Sequence, residues 1–204
     1  MASRPILAGL LLLCAVPACA QPARGAAPAF EQRIVAILNA GGTADTIQGR
    51  LTRVGSDPDL TVNQRVAVDA LRTLVRSRGK PSGLSIAEAE AFAARNPGSP
   101  ASALLIAEAA LANDQPQRSA DALIAAAPQA GSLMQLVSPT MISKLSDELD
   151  ALSDKKRTSG LAKVLLGAGW GRGSASLRSY LAVAAIREEV SAGRFDEARR
   201  FLPA

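Results

Sequence analysis

Two alanine-rich segments of similar pattern recur 31 residues apart, and they constrain the fold more than any other feature of the chain. Residues 89–97 are AEAFAARNP and residues 120–128 are ADALIAAAP. Each segment begins with alanine, an acid, alanine and a large apolar residue, and each ends at proline. A period of this length is typical of helical-hairpin repeats, in which neighbouring units share one core. The pattern therefore predicts an all-α protein of antiparallel helix pairs.

The composition favours helices and excludes several kinds of active site. Hydrophobic residues make up 48% of the 204 residues, but aromatic residues only 3%. Strands favour β-branched and aromatic side chains, whereas alanine and leucine favour helices. The chain has no histidine, so the commonest metal ligand and general base at neutral pH is missing. We predict no metal, no cofactor and no catalytic site, and we do not expect a small-molecule ligand.

The positive charge is small and dispersed. The formal net charge is +5, whereas nucleic-acid-binding domains concentrate cations on one face. The densest group is Arg72, Arg76, Arg78 and Lys80, at the end of a predicted helix. Cations there complement the negative end of the helix dipole, and the alternative is an anion or phosphate site. We expect a solvated surface and no nucleic-acid partner.

The first twenty residues have the three parts of a secretory signal peptide. Arg4 precedes an apolar run from 6 to 16, which is too short to span a hydrocarbon layer of about 30 Å. Ala18 and Ala20 then supply the small-x-small pattern that signal peptidase recognises. We predict cleavage after Ala20, and therefore a periplasmic or secreted protein.

Both cysteines of the chain, Cys14 and Cys19, lie in this segment. Cleavage after Ala20 would remove them, leaving no disulfide and no thiolate. The alternative is a membrane-anchored lipoprotein tethered through Cys19, although Pro17 stands where that signal usually has a small residue. No later segment has the length and apolarity of a membrane-spanning helix, so we expect no transmembrane span.

The mature chain is predicted to have a flexible leader and one helical domain. Residues 21–29 are rich in proline, alanine and glycine, a composition typical of flexible segments. Residues 30–204 form the predicted domain, with a candidate sub-boundary at the linker 79–84.

We expect Pro128 to end one helix and residues 154–157 to form a charged turn. Helix starts are predicted from side-chain caps, at Thr43, Ser85 (paired with Glu88), Ser99, Ser138 and Ser174.

A predicted helix near residue 145 carries the most concentrated acids. Its apolar stripe is predicted to include Ile142, Leu145, Leu149 and Leu152. Asp147 and Glu148 are adjacent in sequence, so on a helix they point about 100° apart and do not form a matched catalytic pair. An enzyme or accessory protein acting on cell-wall polymer is nevertheless kept as an alternative, and it would require acids that converge on one cleft.

Residues 193–198, GRFDEA, followed by Leu202, resemble the turn and second helix of a tetratricopeptide repeat. The central unit is similar to the same pattern, with a turn near Gln115 and six residues at matching positions: Leu104, Ala107, Leu111, Ala120, Ile124 and Ala127. The spacing is 31 residues rather than the 34 of that family. The resemblance implies a short α-solenoid of antiparallel hairpins that binds a protein or peptide and has no catalytic role.

The resemblance also implies a contact face, because the first helix of each tetratricopeptide hairpin usually lines the concave side. Carried over by residue, this face comprises Ser102, Leu105, Ala109 and Ala112 in the central unit, and Tyr180, Val183, Arg187 and Val190 in the last. Packing between helices is the alternative for these residues, and it is the role that we expect of Leu105, Ala109, Ala112, Val183 and Val190. Tyr180 and Arg187 are the stronger contact candidates, because aromatic and guanidinium groups are frequent interface anchors.

The glycine-rich segment 167–173 supplies two further candidate contacts, Trp170 and Arg172. It lacks the Gly-Lys-Ser/Thr of a phosphate-binding loop, and no predicted strand precedes it. A contact with a partner is one interpretation, and packing of Trp170 on a neighbouring helix is the other. Together these features predict an exported, non-catalytic scaffold whose partner is a protein or peptide of the bacterial cell envelope.

Overall fold

The computed structural model describes residues 29–78, 83–130, 133–134, 137–169 and 175–202. Within these ranges the chain forms ten α-helices and no strand, which confirms the all-α class. The predicted signal peptide, with Ala18, Cys19 and Ala20, lies outside the described residues. The helices are α1 (Phe30–Asn39), α2 (Ala44–Gly55), α3 (Val62–Arg78), α4 (Ile86–Arg95), α5 (Pro100–Ala112), α6 (Pro116–Ala130), α7 (Pro139–Ala151), α8 (Lys155–Gly167), α9 (Ala175–Ser191) and α10 (Phe195–Arg199).

Side-chain caps define several helix starts, as the sequence predicts. The hydroxyls of Thr43 and Ser138 each accept a hydrogen bond from the backbone N–H three residues later, at 3.3 and 3.0 Å. Ser85 and Glu88 form the expected reciprocal capping box. Ser99 is an exception: α5 begins directly after it, but its hydroxyl makes no capping bond and has no partner among the described residues. The predicted capping role of the Ser99 side chain is therefore wrong.

Three further predictions are wrong at helix ends. Helix α6 continues through Pro128 to Ala130, because a proline in the last turn removes only one backbone hydrogen bond and Ala130 is buried. The charged turn at 154–157 is instead the start of α8, where Asp154 accepts a hydrogen bond from the Arg157 N–H. Leu152 follows the last residue of α7 and is 55% exposed, so it leaves the apolar stripe.

One hydrophobic cluster connects the helices from α1 to α9. Its most deeply buried members include Ile34, Leu51, Leu123, Leu149 and Leu165. Most neighbouring helices pack against each other, most extensively α5 on α6 and α8 on α9. Contacts also join helices two positions apart, namely α3 with α5, α5 with α7, and α6 with α8. Helix α8 thus lies against α6, α7 and α9, and its first turn forms part of the candidate site.

Candidate partner-binding groove

An open surface cavity of about 140 Å³ lies between the end of α7, the start of α8 and one side of α9. We call it the α7–α9 groove. It is a site of mixed character, with apolar, hydroxyl, cationic and anionic groups from three helices. The lining residues are Asp150 of α7, Lys155 and Thr158 of α8, and Tyr180, Val183, Ala184, Arg187 and Glu188 of α9.

Helix α9 presents Tyr180, Val183 and Arg187 on one face because they recur at positions i, i+3 and i+7. Leu181 and Ala185 are buried in the core, and this fixes which side of the helix faces outward. Tyr180 is 45% exposed and Val183 is 55% exposed, and Arg187 is also exposed. The structure therefore brings the two preferred contact candidates, Tyr180 and Arg187, to one groove.

A network of hydrogen bonds holds the first turn of α8 on α6. The Arg157 guanidinium donates to both carboxylate oxygens of Asp121, at 2.8 and 2.9 Å, and to Asp154 at 2.8 Å. Gln117 also donates to Asp154, at 3.1 Å. Burial alone would raise the pKa of Asp154, but the bonds from Arg157 and Gln117 outweigh it and lower that pKa below 3.8. The network fixes the position of Lys155 at the edge of the groove.

Helix α9 is held on α8 by buried polar contacts. The Ser159 hydroxyl donates to the Ala185 carbonyl at 3.2 Å. Glu189 is 5% exposed, and its carboxylate accepts hydrogen bonds from Arg194 and Lys163. These two bonds lower the pKa of Glu189 to about 2, and the bond from Arg194 makes the larger contribution. The ionised carboxylate thus joins α8, α9 and the turn before α10.

Of the four charged groups that line the groove, Glu188 alone has an ion pair within the described residues. The Glu188 carboxylate lies 3.8 Å from the Lys163 ammonium. Asp150 lies 3.5 Å from the Thr158 hydroxyl, which donates to the Asp154 carbonyl at 3.1 Å. Lys155 and Arg187 form no ion pair within the described part of the chain. The groove therefore offers two exposed cations beside an apolar surface.

The two central candidates, Ser102 and Leu105, are buried in the structure. Ser102 is 4% exposed and donates to the Asn96 carbonyl at 3.1 Å. Leu105 is 3% exposed and lines a small apolar cavity of about 40 Å³ between α3, α5 and α7. Neither side chain is accessible to a partner in this conformation, because α5 is enclosed by its neighbours. Both side chains pack between helices, which was the expected role of Leu105 and the alternative interpretation for Ser102.

Two predicted contact residues are not described by the structure, and three residues of the groove were not predicted from the sequence. Trp170 and Arg172 lie outside the described residues. Sequence reasoning did not single out Lys155, Thr158 or Glu188, because nothing in the local pattern indicates that α7, α8 and α9 meet at these side chains. The charges of segment 154–157 are evident in the sequence, but the segment was predicted to be a turn rather than the start of a helix.

Other kinds of site find no support in the described ranges. No three His, Cys, Asp or Glu side chains there form a group suited to a metal ion. None of the helices described has the length and apolarity to cross a membrane. The adjacent acids Asp147 and Glu148 do not line the groove, and Glu148 pairs with Lys144 at 3.3 Å.

Comparison with known proteins gives no family: no family model, curated protein or solved structure matches the chain. The functional interpretation therefore depends on the geometry and chemistry of the groove.

Proposed function

We propose that this protein is an exported, non-catalytic scaffold, similar to tetratricopeptide proteins, that binds a protein or peptide of the bacterial cell envelope in the α7–α9 groove. The observation that carries the proposal is the outward-facing apolar surface of Tyr180 and Val183 beside an open cavity. A groove that combines apolar surface with a few polar groups is a common form of binding site. Interface anchors are also commonly aromatic residues and arginine.

The helix contacts support a stack of hairpins. Helices α3, α5 and α7 touch in succession, and α6 contacts α8. Ion pairs connect α4 to α6 through Glu90 and Arg118, and α6 to α8 through Asp121 and Arg157. Two rows of alternate helices are the arrangement expected of a short α-solenoid. In the last hairpin, the buried Ala198 matches the alanine on which the family resemblance rests.

Site-specific crosslinking in cells tests the binding role. A photoreactive amino acid at Val183 should form adducts with an envelope protein, because this side chain is exposed and lines the groove. Val62, at the start of α3, is the matched control, since it is a valine that is 75% exposed and does not line the groove. Absence of adducts at position 183, or the same adducts at both positions, would count against the proposal.

Export is tested separately by mass spectrometry of the mature N-terminus. We expect a chain that begins at Gln21. A chain that begins at an acylated Cys19 would instead support the lipoprotein alternative, with the same helical body tethered to a membrane. A full-length chain that retains Met1 in the cytoplasm would contradict export.

A second candidate function is hydrolysis of cell-wall polymer, and one observation favours it. Asp150 and Glu188 come from different helices and line the same groove, as paired acid–base catalysis requires. We rank it second because Asp150 is exposed and Glu188 only half-buried, whereas such acids usually work in sites that exclude water. Purified protein should release no soluble fragments from cell-wall glycan. Release that is abolished in both Asp150→Asn and Glu188→Gln would reverse the ranking.

A further inference from the structure

The unpaired charges that line the groove include more cations than acids, and the fold does not explain this excess. Helix α8 begins with three cations, Lys155, Lys156 and Arg157, and has no acid in its first turn. Cations at this end of a helix are unfavourable, because the exposed N–H groups already give it a partial positive charge. Arg157 is compensated by Asp121 and Asp154. Lys155 has no ion pair within the described part of the chain, and it lines the groove.

A second unpaired cation faces the same space from α9. Arg187 lines the groove with Lys155, is exposed and forms no ion pair within the described residues. The apolar surface of Tyr180 and Val183 lies on the same face of α9, one to two turns before Arg187. Local choices that disfavour the helix itself are expected at functional positions. The groove thus joins uncompensated positive charge to an apolar surface.

We infer that the occupant of the groove is an acidic–apolar peptide segment, in which an Asp or Glu side chain lies close to a large aliphatic or aromatic one. The carboxylate pairs with Lys155 and Arg187, and the apolar side chain packs on Tyr180 and Val183. This inference rests on the proposed binding function and specifies its partner. A basic segment is disfavoured, because Glu188 is already paired with Lys163. The two unpaired cations of the groove therefore outnumber the one lining acid, Asp150, that has no ion pair within the described residues.

Selection from a phage library of random peptides tests the inference with the purified mature chain. We expect the selected peptides to share an acid within a few positions of a large apolar residue. A selected peptide, synthesised with a fluorophore, should bind Lys155→Gln/Arg187→Gln about 2- to 30-fold more weakly than the unaltered protein, since each exposed charge pair contributes modestly. Raising the salt concentration should weaken binding to the unaltered protein as well.

Lys156→Gln is the matched control, because it removes a cation from the same turn at a position that does not line the groove. It should leave the affinity unchanged. Neutral or basic peptides that still require Tyr180 and Val183 would overturn the acidic partner while leaving the proposed binding function intact. Failure to select any peptide sensitive to Tyr180→Ala would overturn both. Binding of anionic phospholipid vesicles with no peptide selected would overturn the inference in favour of a membrane surface.

Discussion

Two glycines inside helices provide a sharp test of how α6 packs on α8. Gly49 lies within α2, and a Cβ atom added there meets no atom within 4 Å. Gly160 lies within α8, and its added Cβ would come within 3.1 Å of the terminal methyl carbon of Ile124 on α6. The same substitution therefore has the same helix-forming benefit at both positions, but meets an opposing contact at only one of them.

The expected magnitudes follow from these distances. Gly49→Ala should stabilise the protein by about 1 kcal/mol, which raises the melting temperature by roughly 2–4 °C for a chain of this size. Gly160→Ala gains the same propensity but places two carbons closer than the about 3.5–4.0 Å that they prefer. Ile124 is half-buried, so its methyl group can shift at a cost near the lower end of overpacking effects, about 1 kcal/mol. The net effect of Gly160→Ala should therefore be close to zero.

Urea unfolding followed by circular dichroism measures both variants, and Ile124→Val completes the test. Valine lacks the methyl carbon that opposes the new Cβ, so Gly160→Ala in this background should gain about 1 kcal/mol, as at Gly49. The coupling between positions 124 and 160 should then be about 1 kcal/mol. The packing of α6 on α8 would be refuted by a coupling below about 0.3 kcal/mol, together with equal stabilisation at Gly49 and Gly160 in the unaltered background.

Three further predictions use stability as their readout. Glu189→Gln should destabilise the protein at neutral pH, and this loss of stability should shrink as the pH falls from 4.5 towards 2, because the folded-state pKa of Glu189 is lowered from 4.5 to about 2 and its contribution is lost on protonation. Denaturant titrations that show a pH-independent loss would contradict this. Ser85→Ala should lower the free energy of unfolding in urea by about 1 kcal/mol through loss of the capping box, whereas Ser99→Ala removes no capping bond and should not lower it. Equal losses of stability in the two variants would contradict the cap assignments. Leu149→Ala should lower the free energy of unfolding by about 2–5 kcal/mol, as expected for a fully buried leucine, while Leu152→Ala should change it by no more than about 0.5 kcal/mol. Calorimetry that gives similar losses of stability for both variants would indicate that Leu152 is part of the core.

The sequence was sufficient where local chemistry determines structure. The capping box at Ser85 and the cap at Thr43 depend on residues within one turn, so they can be recognised without knowledge of the fold. The end of α6 and the start of α8 were mispredicted because packing outweighed local signals. Pro128 is tolerated in a final turn that buries Ala130, and Asp154 caps a helix in a segment whose charge favoured a turn.

The candidate site was only partly predictable for a different reason. Tyr180 and Arg187 belong to one helix, so their shared face follows from spacing alone. Lys155 and Glu188 join them only because α8 and α9 pack side by side, and no periodicity within either helix encodes that. For Ser102 and Leu105 the spacing was equally regular, but Leu105 faces α3 and α7 and Ser102 donates to the Asn96 carbonyl at the end of α4. Periodicity identifies a face, and tertiary packing decides whether it is exposed.

The buried contacts between α8 and α9 have a consequence for motion. Detachment of α9 alone would break the bonds of Ser159 and Glu189 to their partners and would expose the buried side chains of Leu181 and Ala185 to water, so local opening of this helix should carry a high free energy. The two helices should therefore open as one cooperative unit, and their backbone amides should exchange with deuterium at similar slow rates. A ligand in the groove contacts only the outer side of this unit, yet it should slow exchange along the whole length of both helices.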